Sequence, residues 1–236
     1  MDLKVIHDEI RARLNKEITG HIKSTDIDRA LNLAQLDTLN MFLGSPRDYN
    51  RGRPARLYLS ATQRINDALS PFKVGKSFTT TDTAGGVISL EPDFITLISV
   101  KVNTYRTSAD GRSELIKSQV KLFDENEVYE RLSSFLVAPS VSEPIALVNS
   151  KATGIQLFPE QAFAGMYWYI RKPAVPNFAY SMNGREVVYN ESSSTQLEWY
   201  DSEIPRIIEK AIVRLAGGLK DAESAQLSMA KDGGTD

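Results

Sequence analysis

Residues 154–173, GIQLFPEQAFAGMYWYIRKP, decide the fold class because they have strand character within a chain whose two ends are helical. Apolar and amphipathic side chains alternate in the second half of this stretch, which is typical of a β-strand with two different faces. The alternating sets are Met166, Trp168 and Ile170 on one face, and Tyr167, Tyr169 and Arg171 on the other. We interpret the first face as the apolar face, packed in a core.

Strand character extends outward from this stretch to about residues 75–198. Thr, Val, Ile, Tyr and Phe dominate KSFTTTDTAGG, VISL and FITLISVKVNTY, and they return in IALVN and TQLEW. One short helix interrupts the pattern, since Asp124 and Glu127 have capping-box spacing ahead of Val128. The prolines at 139, 144, 159, 173 and 176 suit strand ends and edges.

Helical periodicity marks both ends of the chain. It predicts one helix over 2–19, a second from a Ser24-Thr25-Asp26 cap to Gly44, and a third from Pro54 to about Leu69. Near the C-terminus Asp201 is placed to cap a strongly periodic helix. We expect this last helix to pack with the N-terminal helices, burying Ile207, Ile208, Ile212 and Leu215.

The predicted fold class is therefore α+β: a helical bundle formed by the N- and C-terminal helices, with a β-rich, sandwich- or barrel-like insertion. The corresponding domains are 1–74 for the N-terminal helices, 75–198 for the inserted domain, and 199–236 for the C-terminal helix that completes the bundle. A polar tail follows Asp221, and we expect it to be mobile.

Composition excludes several classes of function. Twenty-eight Lys and Arg against 30 Asp and Glu leave a net charge of −2, which argues against a dedicated nucleic-acid binder. The absence of cysteine excludes disulfides and thiolate metal sites. No stretch approaches 18 consecutive apolar residues and no secretory signal is recognisable, so we expect neither membrane insertion nor secretion by that route.

The chain offers few groups for catalysis. His7 and His21 are its only histidines, and no nucleotide-binding, serine-hydrolase or metal-binding motif is present. Two acidic pairs, Glu125 with Glu127 and Glu198 with Asp201, are the nearest candidates for acid/base catalysis, but capping of helices explains both. We predict no catalytic, cofactor-binding or metal-binding residue and no enzyme activity. A carboxylate-dependent hydrolase stays an open alternative.

Two further features of the sequence have both a structural and a functional interpretation. The aromatic residues suit core packing, but they are also the residue types of a stacking platform in a carbohydrate- or nucleic-acid-binding module. This aromatic cluster consists of Tyr167, Trp168, Tyr169, Phe178, Tyr180 and Tyr189. The segment SPRDYNRGRPAR is the most basic of the chain, and we interpret its arginines as partner-binding residues for an acidic protein surface. They are Arg47, Arg51, Arg53 and Arg56.

The order of these parts resembles the head-to-tail connectors, or adaptor ring proteins, of short-tailed bacteriophages, including those of the crAss-like group. The resemblance rests on GIQLFPE followed by MYWYIRKPAVPNF, and on TQLEWYDSEIPRIIEKAIVRLAGGLKD. In those proteins an aromatic strand and a proline-rich segment are followed by an acidic helix cap and a long apolar helix. The early segment LAQLDTLNMFLG and the inserted β-rich domain extend the likeness loosely over the chain.

This resemblance implies a structural virion protein without catalytic residues or cofactors. It implies a homo-oligomeric ring, usually of twelve copies, that joins the portal protein to downstream tail or ring proteins. Phage DNA would pass through the lumen without sequence-specific binding. The implied location is the head–tail junction of the virion, after assembly in the host cytoplasm, with no membrane partner.

Overall fold

The protein has a mixed α+β fold. The computed structural model describes residues 1–14, 22–44, 63–107, 113–150, 154–184 and 186–217. Within these ranges there are five helices: α1 (Leu3–Leu14), α2 (Ser24–Leu43), α3 (residues 63–69), α4 (Glu125–Ser133) and α5 (residues 204–217). None of the helices in the described part of the chain is long and apolar enough to cross a membrane.

The chain divides into two compact units. Unit 1 comprises Met1–Pro71 and Pro173–Asp236, and unit 2 comprises Phe72–Lys172. The N-terminal border lies close to the predicted one at residue 74. Residues 173–198, which we predicted in the inserted domain, lie in unit 1 instead.

A seven-stranded sheet, curled into a half-barrel, forms the body of unit 2. Its strands are β1 (Lys73–Phe78), β2 (Val87–Ile88), β3 (Phe94–Thr107), β4 (Ser113–Phe123), β5 (Ile145–Ser150), β6 (Gly154–Phe158) and β7 (Gly165–Arg171). Their order is β1-β7-β3-β4-β5-β6-β2. Neighbours are antiparallel except for β4 and β5, which are parallel and are connected through α4.

The core of unit 2 lies against the tyrosine face of β7, which corrects the face that we predicted. Tyr167 and Tyr169 are buried among Val100, Val102 and other apolar side chains of the sheet. Met166 and Trp168 lie on the opposite face, where Met166 is exposed and Trp168 is partly exposed, whereas Ile170 of that face is buried. Tyrosine tolerates burial here because most of its ring is apolar.

In unit 1 the segment after Pro173 is held by hydrogen bonds to unit 1 itself. Asn177 and Thr195 exchange backbone hydrogen bonds of 3.2 and 2.9 Å, and the Phe178 amide donates to Asp28 of α2. A two-stranded hairpin follows, formed by β8 (Tyr180–Asn183) and β9 (Glu186–Tyr189). These contacts explain why residues 173–198 belong to unit 1.

The predicted helix ends lie close to the observed ones, but the side-chain capping hydrogen bonds that we predicted for α2 and α4 are not formed. Helix α2 ends before Gly44 as expected, but its N-terminal cap position is Lys23, and Ser24 accepts a hydrogen bond from Arg11 instead of capping. Asp124 occupies the cap position of α4 without a side-chain cap hydrogen bond. Asp201, which we predicted as the cap of the C-terminal helix, places its Oδ1 atom 2.7 Å from the amino group of Met1.

The apolar stripe of α5 is buried only in its first half. Ile207 and Ile208 are buried, as predicted, whereas Ile212 and Leu215 are only half-buried. The prediction for Ile212 and Leu215 is therefore wrong. Ile212 and Leu215 lie in the second half of the described part of α5.

Candidate functional site

The arginine-rich segment cannot be placed, because Arg47, Arg51, Arg53 and Arg56 lie outside the described residues. The same holds for His21 and for the polar tail after Asp221. Within the described ranges, no group of three or more acidic or histidine side chains is arranged to hold a metal ion.

Neither acidic pair forms a catalytic arrangement in the structure. Glu125 and Glu127 are both exposed in the first turn of α4, where negative charge offsets the helix dipole. Glu198 accepts a hydrogen bond from the backbone amide of Ala174 at 3.0 Å. Asp201 contacts Met1, as described above, so these two carboxylates bind different parts of unit 1.

His7 is completely buried in unit 1. Its Nε2 atom donates to Asp28 Oδ1 at 2.9 Å, and its ring stacks on Phe178 with the centroids 4.4 Å apart. The second carboxylate oxygen of Asp28 accepts from the Phe178 amide at 3.0 Å. His7 and Asp28 therefore fix the start of the hairpin segment onto α1 and α2.

The six aromatic residues singled out from the sequence belong to two different units. Tyr167, Trp168 and Tyr169 lie on β7 in unit 2, whereas Phe178, Tyr180 and Tyr189 lie in unit 1. The Phe178 ring is 4.8 Å from that of Tyr189 and 6.3 Å from that of Tyr180. Phe178, Tyr180 and Tyr189 thus form a cluster of rings beside His7.

The tyrosines of β7 have the most perturbed environment of unit 2. Burial, together with the hydrogen bond from its hydroxyl to Asp93 at 3.1 Å, raises the pKa of Tyr169 to about 12. Burial also raises the pKa of Tyr167. Both groups hold their protons more tightly in the folded protein, which suits core packing.

One small cavity in unit 1 contains a buried acid. It has a volume of about 420 Å³ and is bordered by Arg64, Tyr200 and Glu203, among others. Glu203 is buried, and its two carboxylate oxygens lie 3.5 Å from Arg64 and 3.6 Å from Arg206. The cavity is therefore lined by an ion-pair network beside the N-terminus of α5.

The most unusual surface feature is an apolar segment between α4 and β5. Phe135 is 99% exposed, Leu136 is 90% exposed and Val137 is 53% exposed. We call residues 134–137 the apolar arm. Large apolar side chains in such exposure are a mark of interaction sites. Sequence reasoning missed the arm, although the eleven residues from Leu132 to Ser142 carry no charge.

A second apolar surface lies on the outer face of the sheet in unit 2. The indole of Trp168 crosses over Gly75 of β1, where a Cβ atom would come within 2.8 Å of the indole Nε1. On the other side the Lys101 ammonium lies 5.1 Å from the indole ring centroid. Exposed Met166 follows on the same face. We call Gly75, Met166 and Trp168 the indole face.

The hairpin of unit 1 forms a third apolar surface. Met182 and Val187 face each other across its two strands and are 61% and 52% exposed. Tyr180 and Val188 are exposed as well. Both compact units therefore present apolar side chains to their surroundings, and the surfaces differ in shape and sequence.

A scan of the chain against protein-family models finds no matching family, and a search of curated proteins finds no match.

Proposed function

We propose that this chain is a non-enzymatic subunit of an adaptor ring that joins the portal of a short-tailed phage to its tail. The observation that carries the proposal is the presence of unlike apolar surfaces on two units, the arm in unit 2 and the hairpin in unit 1. A ring of identical subunits needs heterologous interfaces, in which one patch meets a different patch. The order of segments in the sequence supports the phage assignment.

The proposed architecture is a bundle of terminal helices that carries the β-rich unit. Contacts between α2 and α5 support it: Lys210 Nζ donates to Thr38 Oγ1 at 3.2 Å, and Arg214 forms an ion pair with Asp37. The Arg206 guanidinium also lies 5.9 Å from the centroid of the Phe42 ring. Polar pairs of this kind fix the register of two helices that pack through apolar stripes.

The proposed partners are other copies of the chain, with twelve in the ring, the portal protein, and the next tail or ring protein. DNA crosses the lumen without sequence-specific contacts, in keeping with a net charge of −2. The arginine-rich segment, Arg47 to Arg56, binds acidic groups on an adjacent ring, because guanidinium groups suit fixed carboxylates. The assembly takes place in the host cytoplasm and ends at the head–tail junction.

Native mass spectrometry of the chain with and without the proposed portal partner tests this function. We expect a monomer at low concentration and a closed ring when the portal is present. A portal ring holds bound subunits next to one another, and this raises the effective concentration for the weak contacts between them. A Met182→Asp variant should assemble poorly, whereas Thr80→Asp, at an exposed polar position, should assemble normally. A chain that stays monomeric with the portal contradicts the proposal.

The second candidate function is a carbohydrate- or nucleic-acid-binding module, favoured by one observation, the partly exposed indole of Trp168 beside the Lys101 ammonium. It predicts that oligosaccharides or oligonucleotides quench the fluorescence of Trp168 in the monomer. Trp199 is buried in unit 1 and serves as the internal reference. Quenching that persists in a Trp168→Phe variant excludes this module.

A further inference from the structure

Strand β1 is an edge of the sheet in unit 2. In the described part of the chain it pairs only with β7, so alternate backbone N–H and C=O groups of β1 point away from the sheet. Six residues of β1, including exposed Gly75 and Ser77, are long enough to accept another strand. Such an edge is the acceptor in strand-addition complexes.

The indole of Trp168 gives this edge an apolar anchor. Trp168 belongs to β7, but its side chain lies over Gly75 of β1, which has no side chain in the way. A strand added along β1 would therefore pass close to an aromatic ring. Lys76, the charged residue next to Gly75, is ion-paired with Glu91 of the same unit. The charge of Lys76 is therefore balanced within the unit, and an uncharged apolar segment can pass along this part of the edge.

The apolar arm has the chemistry of such a strand. Its first residue, Ser134, has an extended backbone, with φ −87° and ψ 132°, whereas the chain bends at residues 135–137 and would have to straighten to add along an edge. Phe135 and Leu136 are almost completely exposed. A segment of this length can supply both backbone hydrogen bonds and one or two side chains for apolar contacts.

The strand that follows the arm does not neighbour β1 in the sheet. The arm leads into β5, and three strands separate β5 from β1 in the sheet order. At about 4.8 Å per strand, β5 and β1 are about 19 Å apart along the sheet. Donor and acceptor thus lie at different places on one unit, as a head-to-tail contact between copies requires.

We propose that the apolar arm of one copy adds as a strand along β1 of a second copy, with an arm side chain packed on Trp168. This inference rests on the proposed ring function and names its subunit contact. Three apolar side chains bury a few hundred Å², against about 800 Å² per partner in a stable interface. A single contact of this size is weak, and a closed ring gains stability because each copy makes it twice.

Cysteine cross-linking tests the contact directly, because the chain contains no cysteine. Ser134→Cys places a thiol on the arm, and Ser77→Cys places one on β1. The doubly substituted protein, at high concentration with a short bis-maleimide, should give a ladder of covalent multimers. An equimolar mixture of the two single variants should give dimers only, and each single variant alone should stay monomeric.

The matched control uses the other end of the sheet. Ser89, which follows β2, is exposed, so Ser89→Cys combined with Ser134→Cys should give no ladder. Adding Leu136→Asp to the 77/134 pair should reduce the ladder at least tenfold, and adding Thr80→Asp should not. An absent ladder, or an equally strong one from the 89/134 pair, overturns the arm-to-edge contact.

The failures of the two proposals are distinguishable. A portal-bound ring whose 77/134 thiols do not cross-link supports the ring function and overturns the arm contact. A 77/134 ladder from a chain that never binds the portal supports the arm contact and contradicts the adaptor function.

Discussion

Nε2 of His7 and Oδ1 of Asp28 lie 2.9 Å apart in the interior of unit 1, and this pair connects α1 to α2. The other oxygen of Asp28 accepts from the Phe178 amide. Replacing Asp28 by Ala therefore leaves two donors without an acceptor, one of them completely buried. We expect a loss of about 2–4 kcal/mol in the free energy of unfolding. Urea unfolding measures it, with Trp199 as the reporter in a Trp168→Phe background.

Asp26→Ala is the control for this prediction. Asp26 lies in the first turn of the same helix but is exposed, so its removal costs less than about 1 kcal/mol. Equal stability of the two variants would show that the His7–Asp28 contact contributes nothing.

The second prediction concerns alkaline pH. Because the pKa of Tyr169 is raised from 10.0 to about 12, the folded protein retains a proton that the unfolded chain loses. The resulting stabilisation is complete below pH 10 and is lost as the pH rises through 12. Two pKa units correspond to about 3 kcal/mol. We expect Tyr169→Phe to lose less stability than the wild type between about pH 9 and about pH 12.

Parallel urea titrations at the two pH values measure this difference. The two proteins differ only at residue 169, so the difference in pH dependence reports Tyr169 together with its coupling to Tyr167. At neutral pH the variant should be less stable by about 1 kcal/mol, since the hydrogen bond to Asp93 is removed. Identical pH dependence in the two proteins would contradict the assignment.

Periodicity predicted the type and order of most elements. The span of α2 and the strands β3, β5, β6 and β7 fall where the sequence placed them, because each has a regular pattern of apolar residues. Only the first three residues of KSFTTTDTAGG lie in a strand, and TQLEW contributes only an isolated bridge at Thr195. The hairpin β8–β9 was not predicted. Its apolar residues, Met182 and Val187 among them, are exposed, so no core constraint shaped their pattern.

The face of β7 was predicted wrongly at Met166 and Trp168, though not at Ile170, and the reason is physical. Alternation separates two faces, but both faces of β7 carry large apolar groups, so the pattern does not tell which one is covered. The hydroxyl of Tyr169 finds a partner in Asp93, a residue 76 positions away in the sequence. Periodicity carries no information about a long-range contact of this kind.

The apolar arm and the indole face were harder to predict from the sequence than the secondary structure. An uncharged run such as Leu132 to Ser142 is equally compatible with a buried loop, and only the three-dimensional structure shows Phe135 at the surface. The overlap of Trp168 with Gly75 depends on strand pairing across 93 positions, which local patterns do not reveal.

The third prediction compares two positions of α5. Ile207 is completely buried, and Ile207→Ala should lower the free energy of unfolding of unit 1 by about 2–5 kcal/mol. Ile212 is half-buried, so Ile212→Ala should cost only about 1 kcal/mol. Both variants carry the same chemical change on the same helix. Urea unfolding followed through Trp199 gives the two values, and a larger cost at Ile212 would contradict the observed burial.

The last prediction uses the close approach of Trp168 to Gly75. An exposed glycine within a strand normally gains about 0.5–1 kcal/mol when replaced by alanine, because the unfolded chain loses freedom. Here the new Cβ atom would meet the indole Nε1 at 2.8 Å and Cδ1 at 3.1 Å. We therefore expect Gly75→Ala to destabilise unit 2 by about 1–3 kcal/mol, the usual cost of overpacking.

A double-mutant cycle separates the two effects. In a Trp168→Leu background the indole is absent, so Gly75→Ala should be neutral or stabilising, and the change of sign measures the contact between the two residues. Gly75→Ala should also weaken the 77/134 cross-link, because a displaced indole no longer forms the anchor beside β1. If alanine at position 75 has the same effect with and without Trp168, the indole does not lie over the edge strand, and the proposed acceptor loses its apolar anchor.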